Sequence, residues 1–344
     1  MDSRKINILN AIIEAYIDMP VPVGSRTLSK DYNLGVSSAT IRNEMADLED
    51  LGFLNKPHQS AGRVPSNKAY RFYVDEFYDN FMPYENKKFS EQIKNQLMGI
   101  SNSIEEFYKN TVNLLAEMTN CTSYLVTPQK PDRTIKRLTL VKIDKFTAVL
   151  ILVGDKGVVE RHLLEIHDID EEDLLYIEKI LNENICGLDF EKIESLKITL
   201  SMGMAKYGKL ISDIINLVRV FNKKVSAIEI YYDGLTNILN FDEYKDLDRA
   251  REFMSLIEDR DSLLEILSDD LSPDRIDVII GDENEAELMK RYTIIRAPFM
   301  SSYKILGSLG IIGPVRIDYP EILKTVQVFS DGVQRALVEM QRGV

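Results

Sequence analysis

Residues 22–66 read PVGSRTLSKDYNLGVSSATIRNEMADLEDLGFLNKPHQSAGRVPS, and this stretch decides how the N-terminal part of the chain folds. Its first segment predicts a short helix, with Ser25 as the candidate N-cap. An Asn-Leu-Gly sequence that is typical of a tight turn follows. The next helix begins at Ser37 or Ser38, either of which suits the N-cap position, and Gly52 ends it.

The flanking segments complete a recognisable order of elements. Arg4–Met19 carries apolar residues at helical spacing, and Pro20 ends that helix because proline has no N–H to donate. Phe53–Pro65 predicts two short strands around a loop, and Ser66–Phe77 is helical again. Three helices followed by a hairpin is the winged helix-turn-helix arrangement, in which the third helix enters the major groove of DNA.

The third helix has one apolar side and one polar side. At about 100° per residue, Ile41, Met45 and Leu48 fall together and predict the core side. The opposite side centres on Asn43 and includes Ala39, Thr40 and Arg42. Asparagine pairs with adenine N6 and N7, and arginine pairs with guanine O6 and N7, so this side is the expected reading surface. The alternative is a surface helix whose polar residues bind nothing.

Other residues around this helix are candidates for contacts to the DNA backbone. Phosphates are contacted by hydroxyls, helix N-termini and cationic side chains. The candidates are Ser25, Arg26 and Lys30 on the second helix, Ser38 on the third, His58, Ser60, Gly62 and Arg63 in the hairpin, and Lys68 and Arg71 after it. For each residue taken singly, a plain solvated side chain is the alternative.

Charge is distributed unevenly along the chain. The 344 residues carry 42 Lys and Arg against 55 Asp and Glu, a formal net charge of −13. Residues 1–75 hold equal numbers of each sign, so the rest of the chain carries all of the excess negative charge. Gly52–Val74 contains four basic residues and no acidic one. Because salt screens exposed charges beyond about 10 Å, such a basic strip can bind DNA although the whole protein is acidic.

The rest of the chain alternates helices and strands, which gives a multidomain α+β class. After a linker at Asn80–Asn86, one long helix with a strict apolar 4-3 seam is expected from Ile93 to Met118, packed on a sheet or on a partner helix. Strands are predicted at Thr122–Thr127, Arg137–Ile143, Thr147–Val153, Val158–Leu164, Ser226–Tyr232, Ile276–Ile280, Tyr292–Ala297 and Tyr303–Ile312, with a turn at Gly154–Gly157. Helices are predicted within Asp170–Val220 and at Asp242–Leu267 and Tyr319–Gln341.

Several of these segments together resemble the heat-inducible transcription repressor HrcA of bacteria. Residues 22–66 and NKAYRFYVDEF at 67–77 are the most specific, since ATIRNEM alone also resembles other winged-helix repressors. YYDGLTNILN at 231–240, IGDENE at 280–285 and LGSLGIIGPVRIDYP at 306–320 resemble the C-terminal segments of that family in the same order. The resemblance covers nearly the whole chain and is weakest across about 165–220.

The resemblance implies both a fold and a function. The implied domains are a winged-helix DNA-binding domain at 1–79, a linker at 80–90, a GAF-like α/β domain at 91–133 and 223–344, and an inserted dimerising domain at 134–222. The implied function is repression of chaperone operons in the cytoplasm. A homodimer would bind double-stranded DNA at the CIRCE inverted repeat, and the GroE chaperonin would maintain an activity that heat stress removes. Ser38, Thr40, Arg42 and Asn43 match the recognition helix, and His58, Ser60, Gly62 and Arg63 match the wing.

Two other classes of function stay open at this point. A ligand-sensing winged-helix regulator would bind a small metabolite in its GAF-like domain and release DNA by a population shift. An enzyme with an accessory N-terminal domain has less support, because the Walker A, H-E-x-x-H and G-x-S-x-G sequences are absent. Gly307–Gly313 is rich in glycine, but Pro314 follows it, so this segment predicts strand and turn packing.

We therefore expect no catalytic residue, no cofactor and no metal site. The three histidines and two cysteines lack the repeated short spacing of zinc ligands, and buried reduced thiols are expected at Cys121 and Cys186. The first residues are not apolar enough for a signal peptide, and no apolar stretch approaches the roughly 20 residues that a membrane span needs. A cytoplasmic protein with no membrane contact is expected.

Overall fold

The helices and strands of the computed structural model fall into two units with separate apolar cores. The first unit contains Met1–Thr127 and Ile230–Val344, and the second contains Pro128–Glu229. The structure describes residues 1–58, 61–82, 84–127, 134–154, 159–167, 169–188, 192–193, 196, 206–226, 228–268, 272, 275–301 and 304–342.

The described elements follow one another in this chain order. They are α1 (Ser3–Asp18), α2 (Ser25–Asp31), α3 (Ser38–Asp50), β1 (Leu54–Asn55), β2 (Val64–Pro65), α4 (Asn67–Phe81), α5 (Lys87–Ile100), α6 (Ile104–Thr119), β3 (Thr122–Thr127), β4 (Ile135–Lys142), β5 (Thr147–Gly154), β6 (Val159–Glu165), α7 (Glu171–Ile185), α8 (Gly208–Ser226), β7 (Glu229–Asp233), α9 (Leu247–Glu258), α10 (Arg260–Ser268), β8 (Asp277–Ile280), β9 (Tyr292–Ser301), β10 (Lys304–Pro314) and α11 (Tyr319–Arg342).

The N-terminal elements occur in the predicted order, and their ends follow local capping chemistry. Ser37 is the N-cap of α3, and its hydroxyl accepts the N–H of Thr40 at 3.2 Å. Gly52 ends the helix with a positive φ of 77°, which suits glycine. The expectation for Ser25 is wrong, because Gly24 occupies the N-cap position of α2 and Ser25 is its first helical residue.

The single long helix expected from Ile93 to Met118 is also wrong. Residues 101–103 separate α5 from α6, and the hydroxyl of Ser103 accepts the N–H of Glu106 as the N-cap of α6. The two helices pack against α11 and the sheet of the same chain, with Leu97 and Phe107 in the core. Ile100, the seam residue beside the break, is 54% exposed. The apolar seam is therefore interrupted at residues 101–103, because the N-cap formed by Ser103 starts a new helix although the apolar periodicity continues.

The first unit is built on a five-stranded sheet in the order β7-β3-β10-β9-β8. Strand β10 is antiparallel to both β3 and β9, and β8 is antiparallel to β9. The glycine-rich segment forms β10, as predicted, and a Cβ on Gly310 would overlap the carbonyl oxygen of Ile295. Helix α11 crosses the sheet and α5, and its predicted face with Ile322, Val326 and Phe329 is buried.

The second unit is a three-stranded antiparallel sheet in the order β4-β5-β6, covered on one face by helices. Side chains of β5 alternate, and Ala148, Leu150 and Leu152 point into the core shared with α7 and α8. The expected turn at Gly154–Gly157 lies, beyond its first residue, outside the described residues. Strand β7 begins later than expected, because α8 continues to Ser226.

Other boundaries differ by up to four residues, since α4 continues to Phe81, into the expected linker, and β9 continues to Ser301. The helix expected at Asp242–Leu267 is divided, because a short 3-10 turn at Asp242–Tyr244 precedes α9 and Asp259 separates α9 from α10. The four strands expected between Thr122 and Leu164 are all present, each within two residues of the expected ends.

The break between α5 and α6 predicts opposite outcomes for two neighbouring positions of the seam. Leu97→Ala removes a fully buried side chain, so we expect the free energy of unfolding to fall by about 2–5 kcal/mol. Ile100→Ala is the matched control, and we expect a change within about 0.5 kcal/mol because that side chain is exposed. Urea denaturation followed by circular dichroism measures both values. Equal losses at the two positions would show an uninterrupted seam.

Candidate nucleic-acid interface

The two-stranded hairpin is held against the start of α2 by backbone pairing. Val23 and Arg63 exchange two N–H to carbonyl hydrogen bonds, at 2.8 and 2.9 Å, so a third short segment extends the hairpin. A Cβ on Gly62 would overlap the carbonyl oxygen of Val23. A glycine is therefore needed at position 62 because the two backbones approach each other closely there.

Helix α3 lies with its apolar side inward, as its periodicity predicts. Ile41, Met45 and Leu48 are buried in the core of the first unit. Arg42 and Asn43 are exposed on the other side, together with Ala39, and Thr40 is half-buried. The side chains with base-reading chemistry are thus the ones that the fold leaves open to solvent.

Hydroxyl groups connect the N-terminal ends of α2 and α3. The Oγ atoms of Ser25 and Ser38 lie 3.2 Å apart, and those of Ser37 and Thr40 lie 3.0 Å apart. The first contact joins the start of α2 to the start of α3, and the second lies within the first turn of α3. Helix N-termini attract anions, which makes this corner suitable for a phosphate group.

A groove collects cationic side chains between α2, α3 and the hairpin. It has a volume of about 420 Å³, and its lining includes Arg26, Arg42, Lys56 and Arg63. The sequence-based site omitted Lys56, although this residue belongs to the basic run Gly52–Val74 that charge counting singled out. Counting found the charge, but the placement of Lys56 beside Arg42 depends on how the hairpin folds back over α3.

Three of the four acidic residues in the later turns of α3 are paired within the chain. Lys5 of α1 binds Glu44 at 3.0 Å and Asp47 at 2.9 Å, and these carboxylates raise the pKa of the Lys5 ammonium group, Asp47 most strongly. Glu49 binds Arg63 at 2.5 Å. Pairing neutralises much of the negative charge that would otherwise oppose a phosphate, while Arg42 at the open end of the helix stays exposed.

The other residues predicted to contact DNA differ in whether they line this groove. Arg26 lines it, whereas Lys30 on α2 and His58 in the hairpin are exposed. Ser60 lies outside the described residues. Lys68 is exposed, but its ammonium group donates to the carbonyl of Leu51 at 2.9 Å and lies over the Phe53 ring.

Arg71 has partners within the chain that differ from the expected phosphate. Its guanidinium donates to Glu283 through Nε at 2.7 Å, to the carbonyl of Val278 at 2.5 Å, and to Asp75. These partners place Arg71 on the side of α4 that faces β8, so its role is to join helix and sheet. The amide of Asn67 likewise donates to Asp282 at 2.7 Å.

The described residues show no arrangement typical of catalysis or metal binding. Among them, no three His, Cys, Asp or Glu side chains converge where they could hold a metal ion. Cys121 is buried, which raises the pKa of its thiol to about 12, and Cys186 is half-buried with a raised pKa from the same cause. Both thiols are free, and none of the described helices is long and apolar enough to cross a bilayer.

An open polar helix beside a cationic groove, in a protein of mixed helix and sheet, is typical of DNA-binding proteins of the transcription-regulator class. Residues 105–323 match the family described as HrcA protein C terminal domain. The heat-inducible transcription repressor HrcA of Clostridium botulinum (strain Eklund 17B / Type B) is 39% identical over 328 residues, which cover 94% of each chain. The chain belongs to the HrcA family of heat-inducible transcription repressors. It is therefore a heat-shock transcriptional repressor and not an enzyme.

A second relative and one solved structure are also similar to this chain. The HrcA protein of Thermoanaerobacter sp. (strain X514) is 37% identical and covers 98% of this chain and 97% of its own length. The crystal structure of a hypothetical protein at 2.2 Å resolution superposes with a TM-score of 0.65 at 21% identity, over 98% of this chain and 99% of that one. This likeness shows that the two chains share a fold.

The pairing of Val23 with Arg63 predicts the effect of a side chain at position 62. Gly62→Ala places a Cβ against a backbone carbonyl, so we expect a loss of about 1–3 kcal/mol in the free energy of unfolding. Gly99→Ala is the control, because open space surrounds Gly99 in α5 and alanine favours a helix by about 1 kcal/mol. Thermal denaturation of both variants checks this, and an unchanged stability for Gly62→Ala would contradict the close approach.

Proposed function

We propose that this repressor binds the CIRCE inverted repeat as a homodimer in the cytoplasm and reads it with a winged helix-turn-helix domain at 1–79. The observation that carries the proposal is the groove in which Arg26, Arg42, Lys56 and Arg63 lie beside the open face of α3. A titration of the protein against a CIRCE duplex and a scrambled duplex, at two salt concentrations, tests it. Equal binding to the two duplexes in the presence of chaperonin would contradict it.

The arrangement suggests that some residues of the interface contact bases and others contact phosphates. The N-terminal half of α3 would enter the major groove, with Arg42 and Asn43 on base edges. Arg26, Lys56 and the hydroxyls of Ser25 and Ser38 would bind phosphates and fix the register of the helix. The hairpin with His58, Ser60, Gly62 and Arg63 would lie along the neighbouring backbone, and Lys30 and Lys68 would lie at the edges of the contact.

An apolar sheet face supports the homodimer. The face of β4-β5-β6 that points away from α7 and α8 carries Val141, Val149 and Leu163 in one row across the strands. Leu163, on the edge strand β6 at the end of this row, is 76% exposed, which is unusual for a leucine. Arg161 and Glu165 on the same face supply opposite charges, so a second copy related by a two-fold axis is a suitable partner. This face supports our proposal that residues 134–222 form an inserted dimerising domain.

The same sheet face supports a dependence on chaperonin. A protomer without its partner would present these apolar side chains to solvent, and chaperonins bind exposed apolar surface. Heat would increase the fraction of separated or unfolded protomers, and a change of about 1–2 kcal/mol is enough to alter the active population severalfold. We propose that GroE maintains the active dimer in this way. We also propose that residues 91–133 and 223–344 form the GAF-like domain.

The groove predicts different consequences for two of its cations. Arg42→Ala should weaken CIRCE binding by about 1–3 kcal/mol and relax base preference at one position in each half-site, because a bidentate contact to a base is lost. Lys56→Ala should weaken binding to all sequences alike and lower the slope of affinity against salt by about one unit, because a phosphate contact is lost. Fluorescence anisotropy with a set of single-base operator variants measures both effects.

Arg251→Ala is the matched control for these two variants, since Arg251 is an exposed cation on α9 outside the groove. We expect this variant to bind CIRCE with the affinity and the salt slope of the unaltered protein. Unchanged base preference in Arg42→Ala would show that α3 does not read the major groove as proposed.

The open sheet face predicts that one charge abolishes dimer formation. Leu163→Glu should shift the protein from dimer to monomer with little loss of protomer stability, because the side chain is already exposed in the protomer. Leu175→Glu on α7 is the control at 63% exposure in the same unit, and this variant should stay dimeric. Analytical ultracentrifugation distinguishes the two states. A dimeric Leu163→Glu variant would place the dimer contact elsewhere.

A further inference from the structure

A second cationic site lies in the first unit, away from the DNA-binding groove. It is a cleft of about 370 Å³ between α4 and the edge strand β8. Three arginines line it, Arg71 from α4, Arg275 from the residues before β8, and Arg296 from β9. A chain with a net charge of −13 thus places three guanidinium groups around one small cleft, with Asp277 as the acidic side chain of the lining.

The most buried of these groups, Arg296, has an incomplete set of hydrogen-bond partners. Its residue is 5% exposed, and its guanidinium donates to the carbonyl of Ile266 at 3.2 Å and reaches Asp277 only at 3.5 Å. Its Nε is buried with no hydrogen-bond partner. Buried polar groups without partners are rare in native proteins, and this donor lies in the lining of a cleft that has room for a ligand.

Arg275, one of the cleft's lining residues, is stacked on the aromatic ring of Tyr78, which also lines the cleft. The guanidinium of Arg275 lies over the ring of Tyr78, 4.5 Å from its centre, and Arg275 is exposed. The hydroxyl of Tyr78 accepts the N–H of Ile276 at 3.2 Å, which fixes the ring against the strand. A stacked guanidinium keeps its planar edge of N–H donors available for an anion.

Charges in the lining do not cancel. Arg71 is paired with two carboxylates, those of Glu283 and Asp75, whereas Arg275 and Arg296 share the single carboxylate of Asp277, which lies 3.5 Å from Arg296. Burial raises the pKa of the Asp277 carboxyl, although Arg296 and Arg275 act in the opposite direction. The positive charge of Arg275 and Arg296 is therefore only partly compensated.

We propose that this cleft binds a small polyanion with several phosphate or carboxylate oxygens, held by Arg275 at the mouth and Arg296 at the base. Guanidinium groups bind both kinds of oxyanion through paired N–H donors. Such a ligand would bridge α4, which directly follows the hairpin, and strand β8. It would give this repressor an effector site at the joint between its DNA-binding end and its sheet, independently of which DNA sequence it reads.

Calorimetric titration of the full-length protein with pyrophosphate, and separately with citrate, at matched ionic strength tests the proposal. We expect saturable binding of at least one probe, and the two probes distinguish a phosphate ligand from a carboxylate ligand. Arg275→Gln should weaken the Kd about tenfold, since one set of charge-assisted hydrogen bonds is lost. The substitution is safe for the fold because the side chain is exposed. No saturable binding of either probe would overturn the proposal.

Two control variants separate this cleft from other cationic surfaces. Arg251→Gln changes an exposed arginine on α9 and should bind the probe as the unaltered protein does. Arg42→Ala changes the DNA-binding groove and should also keep the probe affinity. Binding that is lost in Arg42→Ala and kept in Arg275→Gln would place the anion in the DNA groove and overturn the proposal. CIRCE titration of Arg275→Gln without probe should give unchanged affinity, so a failure of the cleft is distinguishable from a failure of the DNA interface.

Discussion

The pair formed by Arg71 of α4 and Glu283 of the loop after β8 joins the N-terminal helices and hairpin to the sheet of the first unit. Their contact is extended by a hydrogen bond from Arg71 to the carbonyl of Val278 on the outer edge of β8. An edge strand exposes unpaired backbone groups, and side chains of α4 cover this one. Because α4 directly follows the hairpin, the position of the whole N-terminal region in the first unit depends on this joint.

A second set of contacts makes the joint more than a single ion pair. Arg316, just before α11, binds the carboxylate of Glu243 at 2.6 Å and donates to the carbonyl of Ile17 at the end of α1, at 2.7 Å. The rings of Tyr70 on α4 and Tyr319 at the start of α11 lie 5.7 Å apart. The loop Gly281–Glu285, which follows the edge strand β8, is the segment that α4 contacts through Asn67 and Arg71.

Charge sorting explains how an acidic protein presents a basic surface. Within the N-terminal elements, Lys5 pairs with Glu44 and Asp47 of α3, and Arg63 pairs with Glu49. Arg42 and Lys56 stay exposed around one groove. The second unit instead leaves apolar side chains on one face of its sheet, where Leu163 is the most exposed. The two surfaces use different physical forces, which suits one of them for a polyanion and the other for a second copy of the chain.

The sequence by itself determined the local elements of this protein and the two sides of α3, because apolar periodicity and capping act within a few residues. It also contained the signal for the break before α6, a serine at 103 followed by a glutamate at 106, which the apolar seam obscured. Only the tertiary structure decided that Lys56 joins the groove, that Gly62 lies against Val23, and that Arg71 binds Glu283, 212 residues away along the chain. Such contacts join distant segments whose approach is set by packing, and no periodicity along the chain encodes them.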